Sequence, residues 1–339
     1  MKRGKLTGML LCALALALCV NVSSAGAQEK TVKITFSHFW PVGHPVTNLL
    51  DEWAREVEKR TSGALNIEIF TAGTLTPAAK CYDGVVKGIS GMGSSAMGYT
   101  KGRFPLMEVL DLPLSSETGL VATRMANAFY KQFQPKELSD TKVMFFQAHG
   151  PGIIHTKKPV RKLEDMKGLK IRSTGTSAKV AAALGATPVA MPMGETYDAL
   201  AKGVVDGSAA PISALAGFKW GEVVKYTTLN FGAAYSQVFF VVMNKNVWNS
   251  LPDGVKKTIE KVNEEWIDKT GKTWDEYDDM GREFIAKLGN ETISLSKEEN
   301  NRWKEACRGL KDEYVKYASE RGLPGEQAVQ FCDDFLKSH

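Results

Sequence analysis

Two strands and two helices alternate in the first third of the chain. Residues 32–36 and 65–70 alternate apolar and polar side chains, which is typical of strands with one exposed face. Residues 48–60 and 77–87 instead repeat their apolar positions at helical spacing. Such an order needs crossover connections, and these favour a mainly parallel sheet covered by helices. The sequence therefore predicts an α/β fold.

Two later features of the sequence predict that the fold is divided into two domains. A strand at residues 142–148 is interrupted by His149-Gly-Pro-Gly and resumes at residues 153–156, which suggests a crossover between domains. After Pro252 the apolar spacing stays helical almost to Lys287, so one long helix can tie two lobes together. A chain of 339 residues is long enough for two domains.

The first residues have the pattern of a secretory signal peptide. Lys2, Arg3 and Lys5 precede an apolar run at residues 9–20, and small residues follow up to Ala27. A basic head, a short apolar run and a small-residue site are the three parts of such a signal. We expect residues 1–27 to be removed on export. No later stretch approaches the roughly 20 apolar residues of a membrane span.

Cysteine usage and charge exclude some classes of protein. Cys12 and Cys19 both follow leucine, which argues against a lipid-anchored protein, and Cys81, Cys307 and Cys332 would remain after cleavage. This odd number is no disulfide framework, but both a Cys307–Cys332 bridge and three buried thiols stay open. Losing three basic residues with the signal brings the formal net charge of +5 to about +2. That charge gives no argument for a nucleic-acid partner.

Catalytic and cofactor motifs are scarce. The five histidines, at positions 38, 44, 149, 155 and 339, lack the spacing of a helical zinc site. Residues 91–96 match a dinucleotide fingerprint formally, but the strand that should precede it is missing. Residues 88–98 are instead interpreted as a small-residue loop. We expect a protein without enzymatic activity, cofactor or metal.

One continuous block of the sequence is specific enough to indicate a protein family. It runs through Met-Lys-Gly-Leu-Lys-Ile-Arg (166–172), Leu-Gly-Ala-Thr-Pro-Val-Ala-Met (184–191) and Glu-Thr-Tyr-Asp-Ala-Leu-Ala-Lys-Gly-Val-Val-Asp-Gly (195–207). This block resembles the DctP-type periplasmic solute receptors of tripartite ATP-independent periplasmic (TRAP) transporters. Residues 71–75 and 244–252 resemble them too. The resemblance spans essentially the whole chain after the signal.

The resemblance implies a fold, a role and a compartment. It implies a two-lobe periplasmic binding protein, type II-like, with long helices bracing both lobes. Lobe I is expected at residues 28–149 and 236–275, and lobe II at 150–235 and 276–339. The ligand would be a small organic acid, the partners the small and large membrane subunits of a sodium-driven permease, and the receptor a periplasmic monomer.

Arg172 is the residue that the resemblance places against the ligand's carboxylate. A guanidinium offers two parallel N–H donors that match the two oxygens of a carboxylate. Closure of the lobes would exclude water and strengthen this contact, although desolvation offsets part of the gain. We therefore expect Arg172 to be the anion anchor.

The chain departs from the pattern of relatives that bind sugar acids. Ala210 stands where many relatives have an asparagine that contacts the ligand, and near Gly152, where relatives that bind sugar acids often have a second basic residue, this chain has Gly-Pro-Gly-Ile-Ile. Hydroxyl groups buried there would lack partners, at about 1–3 kcal/mol each. The departures therefore favour a carboxylate with an aromatic, indole-type or other apolar tail. A sugar acid, a small dicarboxylate and the receptor of an ATP-driven importer remain the alternatives.

Strand ends and loops supply the other candidate ligand contacts, because open α/β sheets bind ligands there. The apolar candidates are Phe39, Trp40, Tyr99, Met191, Met193, Ala210 and Trp220. The polar candidates are Ser94, Ser95, His149, Ser173, Tyr235 and Gln237, with His44 able to reach the cleft. Trp53, Trp266 and Trp274, on helical faces, are expected in the core.

Overall fold

The structure, a computed structural model, describes residues 31–115 and 117–339. The expected signal peptide lies outside these residues. The strands are β1 (Val32–His38), β2 (Leu65–Phe70), β3 (Met92–Ala96), β4 (Thr141–Ala148), β5 (Gly152–Thr156), β6 (Lys170–Arg172), β7 (Thr187–Val189), β8 (Gly207–Pro211), β9 (Tyr226–Leu229), β10 (Val238–Asn244) and β11 (Glu291–Ser294). The α-helices are α1 (Pro45–Arg60), α2 (Cys81–Val86), α3 (Gly119–Phe133), α4 (Thr176–Ala183), α5 (Met193–Ala201), α6 (Ala214–Gly217), α7 (Lys245–Ser250), α8 (Asp253–Lys287), α9 (Lys297–Cys307), α10 (Gly309–Ser319) and α11 (Gly325–Ser338).

The strands form two mixed sheets, and this confirms the α/β fold with two lobes. Their orders are β2-β1-β3-β10-β4 and β11-β9-β5-β8-β6-β7. β1 pairs in parallel with β2 and β3, whereas β10 runs antiparallel to β3 and β4. The expectation of a mainly parallel sheet is therefore wrong for the first lobe. The chain leaves this sheet at Ala148 and re-enters it beside that residue at Val238, so β10 must run in the opposite direction.

The 35-residue helix α8 braces both lobes, as its apolar spacing predicts. It packs against α1, α3 and β4 of the first lobe and against α6 of the second. Trp53 of α1 donates from Nε1 to Oδ1 of Asn263 on α8 at 2.9 Å, and Trp266 Nε1 donates to the Leu49 carbonyl at 3.3 Å. Buried tryptophans with a satisfied N–H thus fix the helix to its neighbours.

Two short crossings join the lobes beside each other. β4 continues into β5 through residues 149–151, and the return passes from Tyr235 to β10. Gly152 N donates to the Tyr235 carbonyl at 2.6 Å, which ties the crossings together. A β-carbon at Gly152 would lie 2.3 Å from the Tyr235 ring, so only glycine fits there.

The small-residue segment at 88–98 is mostly not a loop, and that interpretation is wrong. Met92–Ala96 form the central strand β3, which is buried throughout between β1 and β10. A β-carbon on Gly93 would lie 2.8 Å from Cys81 Sγ, so larger side chains would not fit between the strand and α2. The same crowding explains β8, which the sequence pattern did not reveal: a β-carbon on Gly207 would lie 2.3 Å from the His155 carbonyl.

The lobe boundaries stay predictions. The two crossings lie close to the expected boundaries near residues 149 and 236, but α11 packs against α3, a helix of the first lobe. Assignment of all of residues 276–339 to lobe II therefore depends on how the last helices move with each lobe. No helix within the two described ranges combines the length and the apolarity that crossing a membrane requires.

The three cysteines in the described ranges are free and buried. Burial raises the pKa of Cys81 and of Cys307 to about 12, and it also raises the pKa of Cys332. We expect protein lacking residues 1–27 to show no thiol reactive with Ellman's reagent when folded, and three in guanidinium without reductant. A single reactive thiol after unfolding would instead indicate a Cys307–Cys332 bridge.

Candidate functional site

A narrow cavity lies between the lobes, where the strands of both sheets end. About 340 Å³ there is not filled by atoms, a volume that includes space open to solvent, and the centre of a water molecule has only about 10 Å³ in which to move. Its lining is mainly aromatic and apolar, and consists of Trp40, His44, His149, Arg172, Met193, Ala210, Pro211, Ser213, Ala214, Phe218, Tyr235, Gln237, Phe239 and Trp274. Cavities of this composition at strand ends are the usual ligand sites of α/β proteins.

Arg172 brings a buried cation to this cavity. It ends β6 and is only 2% exposed. Nε donates to the Met191 carbonyl at 2.9 Å and Nη2 lies 3.4 Å from the Tyr99 hydroxyl, while Nη1 makes no hydrogen bond within the described residues. No carboxylate of residues 31–115 or 117–339 forms an ion pair with it. A guanidinium buried without a counter-charge costs several kcal/mol, which a bound anion would offset.

Tyr99 connects Arg172 to the opposite lobe. It lies in the turn that follows β3, and its hydroxyl accepts hydrogen bonds from Met193 N at 3.2 Å and from Arg172. Burial is the main cause that raises the pKa of Tyr99, so the hydroxyl stays protonated at neutral pH. The Tyr99 side chain therefore holds the anchor in place and contributes no charge.

Three aromatic rings form one wall of the cavity. Phe239 of β10 stacks on Trp274 of α8, with ring centroids 5.4 Å apart and planes 9° apart. The Trp40 ring centroid lies 5.3 Å from that of Phe239, and Phe39 stacks on Trp40 with ring centroids 4.2 Å apart. Trp274 was expected to belong to the core alone, but it lines the cavity as well and donates from Nε1 to Gln147 Oε1 at 3.2 Å. This wall matches the flat face of an aromatic ring.

His149 and Tyr235 stand near Arg172 in uncharged form. His149 Nδ1 donates to the Gly150 carbonyl at 2.6 Å, and burial together with the Arg172 charge lowers its pKa to about 4. The Tyr235 hydroxyl donates to the Ala209 carbonyl at 3.0 Å, and burial raises its pKa to about 12. Arg172 is therefore the one lining residue that is positively charged at neutral pH.

The remaining sequence candidates lie in different places. Met193, Ala210 and Gln237 line the cavity with Arg172, Trp40, His149 and Tyr235. Phe39, Tyr99, Met191 and Trp220 form a layer behind it, in contact with Trp40 or Arg172. Their roles as ligand contacts stay predictions.

Three serine candidates already have partners elsewhere. Ser94 accepts from Gln147 Nε2 at 3.5 Å, Ser95 donates to the Ala78 carbonyl at 2.9 Å, and Ser173 donates to the Ile171 carbonyl at 3.2 Å. None of them is among the residues that line the cavity. Sequence reasoning missed the lining residues Ser213, Ala214 and Phe239. Each lies close to a segment that it did identify: Ser213 and Ala214 follow Pro211 after Ile212, and Phe239 is the second residue of β10.

A larger groove lies next to the cavity. Its volume is about 1,940 Å³, which includes space open to solvent, and residues of both lobes line it, including Tyr99, Gly98 and Gly175. Gly98 and Gly175 are in contact across this groove, because a β-carbon on Gly175 would lie 2.9 Å from the Gly98 Cα. The lobes thus touch backbone to backbone beside Arg172, which leaves no room for a side chain between them.

Asp111 holds the start of β10, next to the crossing. Its Oδ1 accepts from Val238 N at 2.9 Å, and burial raises its pKa to about 8. A raised carboxyl pKa means that the folded state binds a proton which the unfolded state releases above about pH 4. This group therefore lowers the free energy of unfolding as the pH rises from about 4 to 8.

We expect Asp111→Asn to stabilise the protein at pH 8 by on the order of 2–4 kcal/mol, because the amide keeps an acceptor and needs no proton. Urea unfolding at pH 4, 6 and 8 measures this. At pH 4 the two proteins should be nearly equal. A variant that is less stable at pH 8 would show that Asp111 is buried in its charged form.

Within residues 31–115 and 117–339, no group of three or more His, Cys, Asp or Glu side chains lies close enough to hold a metal ion.

The sequence pattern of one family, described as "Bacterial extracellular solute-binding protein, family 7" (DctP), matches residues 36–317. The chain belongs to this family. It is a DctP-type TRAP solute receptor and not an enzyme, as the resemblance implied. The family is periplasmic, in agreement with the expected export.

Three known proteins illustrate the similarity. The C4-dicarboxylate-binding periplasmic protein DctP of Rhodobacter capsulatus is 27% identical over 322 residues, which cover 92% of this chain and 94% of that protein. A TRAP solute-binding protein of Rhodoferax ferrireducens in complex with copurified benzoate is 28% identical, with a TM-score of 0.86 and coverage of 91% and 98%. A marine metagenome protein specific for aromatic acids, in complex with 3-hydroxybenzoate, is 30% identical, with a TM-score of 0.86 and coverage of 91% and 98%.

Proposed function

We propose that this receptor binds an aromatic monocarboxylate in the periplasm and delivers it to the small and large membrane subunits of a sodium-driven permease. The observation that carries the proposal is a buried Arg172 without a counter-charge beside a wall of aromatic rings. The carboxylate would bind the free N–H groups of the guanidinium, and the ring would pack on Phe239 and Trp274. Two structural relatives that carry benzoate and 3-hydroxybenzoate support this ligand class.

The lining argues against the two acid classes that remain as alternatives. A small dicarboxylate needs a second cation, and Arg172 is the only arginine or lysine among the lining residues. A sugar acid needs a hydrogen-bonding partner for each hydroxyl around its ring, whereas the wall beside Arg172 consists of the aromatic rings of Trp40, Phe239 and Trp274. Membership of the TRAP family likewise favours the sodium-driven permease over an ATP-driven importer. The receptor would act as a monomer.

A thermal-shift panel tests the ligand class. Benzoate, phenylacetate and indole acetate are compared with succinate and glucuronate, each at the same concentrations. We expect only the aryl acids to raise the melting temperature, since a ligand stabilises the state that binds it. Chromatography after incubation should return each acid unchanged. A shift with succinate or glucuronate alone would overturn the aromatic ligand class and leave the receptor role intact.

A further inference from the structure

The cavity has a second polar end, away from Arg172. His44, Phe218 and Trp40 line that end. The His44 ring lies 5.2 Å from Phe218 and 4.8 Å from Tyr277, and Phe218 lies between it and Trp220, which packs near Arg172. The Arg172 charge helps to lower the pKa of His149, whereas burial and His38 account for the lowered pKa of His44.

The role of His44 in capping α1 fixes where its proton lies. Nδ1 accepts a hydrogen bond from Val46 N at 3.2 Å, so Nδ1 carries no proton. Burial lowers the pKa of His44 to about 3, so the ring is neutral at periplasmic pH. A neutral imidazole has one proton, which must therefore sit on Nε2. Nε2 is a hydrogen-bond donor, and it has no acceptor among the described residues.

Two further polar groups at this end have no partner among the described residues. Trp40 Nε1 and the Tyr277 hydroxyl are both buried and make no hydrogen bond. A β-carbon placed on Gly217 would lie 2.1 Å from the Tyr277 hydroxyl and 2.9 Å from His44 Nε2, so these two groups both lie against Gly217 and close to each other. Buried polar groups are almost always paired. Trp40 and His44 line the cavity and Tyr277 packs beside His44, so a ligand atom at this end would supply the missing partner.

We infer that His44, Trp40 and Tyr277 form a subsite for an uncharged oxygen of the ligand, so that the receptor selects hydroxylated aryl acids over unsubstituted ones. This inference rests on the proposed function. A phenolic hydroxyl can accept from an N–H donor and donate to the Tyr277 oxygen, which suits the groups present. A second carboxylate does not suit them, because this end has no cation.

Pairs of acids that differ only by a hydroxyl or a methyl group separate the effect of hydrogen bonding from that of ligand shape. Isothermal titration compares 3- and 4-hydroxybenzoate, and 4-hydroxyphenylacetate, with the same acids carrying a methyl group in place of the hydroxyl. In the wild-type protein, we expect at least one hydroxylated acid to bind about tenfold more tightly than its methyl counterpart. A methyl acid that binds as tightly in every pair would overturn the inference.

Two variants assign the preference to residues. Tyr277→Phe removes only an unpaired hydroxyl, and His44→Asn keeps an N-cap acceptor while it removes Nε2. We expect at least one of them to reduce the preference to about threefold or less, with affinity for the methyl acid unchanged within about twofold. A preference kept in both variants, with unfolding midpoints like that of the wild type, would exclude this subsite.

The proposed function and the subsite fail in different ways. If unsubstituted and hydroxylated acids bind equally, the aromatic receptor stands and the subsite is wrong. If no aryl acid binds to the wild-type protein, both are wrong.

Discussion

Arg172→Ala should lose ligand affinity by about 100-fold or more, while the free protein keeps its stability or gains some. Removing one partner of a buried ion pair costs about 3–5 kcal/mol. In the free protein the change instead removes a buried charge that has no counter-ion among the described residues, so the free energy of unfolding should not fall. A residue with a merely structural role would reduce both quantities. Isothermal titration and urea unfolding of the same samples measure them.

Arg172→Lys and Arg124→Ala are the matched controls. Lysine keeps the positive charge but loses the planar pair of donors, so we expect an intermediate loss of about tenfold. Arg124 pairs with Asp268 on the surface, with its side chain 40% exposed, and its removal should leave affinity unchanged. Wild-type affinity in Arg172→Ala would place the anchor elsewhere and remove the basis of the proposed ligand class.

Gly175→Ala should weaken binding by about tenfold or more because it obstructs closure of the lobes. The new β-carbon would lie 2.9 Å from the Gly98 Cα, a backbone atom that cannot turn aside. Gly175 also has a φ of +54°, which strains any residue other than glycine. The strain acts whatever the position of the lobes, whereas the collision acts only when they are together.

Gly185→Ala separates these two effects. Gly185 has a φ of +88°, but a β-carbon there would meet nothing within 4 Å. We expect both variants to lose stability, and only Gly175→Ala to lose affinity and to keep a larger radius of gyration in small-angle X-ray scattering at saturating ligand. If Gly175→Ala binds as tightly as Gly185→Ala, the contact between the two glycines does not limit closure.

Periodicity predicted the elements that bury one face. The helix α8 and the strands β1 and β2 follow directly from the spacing of their apolar residues. β3 and β8 escaped prediction because they consist of small residues whose only signal is the crowding around Gly93 and Gly207. Such crowding depends on neighbouring strands that come from distant parts of the chain.

In the site, too, sequence patterns identified some residues and only the fold revealed others. Arg172 was found because a specific block of sequence surrounds it, and Ala210 because it departs from the pattern of relatives. Trp274 was assigned to the core because it occupies the apolar face of α8, and the fold alone shows that this face also borders the cavity. Ser94 and Ser95 were chosen for an expected loop, but they are buried in a strand and bonded to neighbours.

A crystal structure of the complex with the aryl acid that binds most tightly tests the central claim directly. The account predicts both carboxylate oxygens within about 2.7–2.9 Å of guanidinium nitrogens of Arg172. It also predicts the ring against Phe239 and Trp274, with the lobes closed. A carboxylate bound away from Arg172, or a ring that lies outside the aromatic wall, would contradict it.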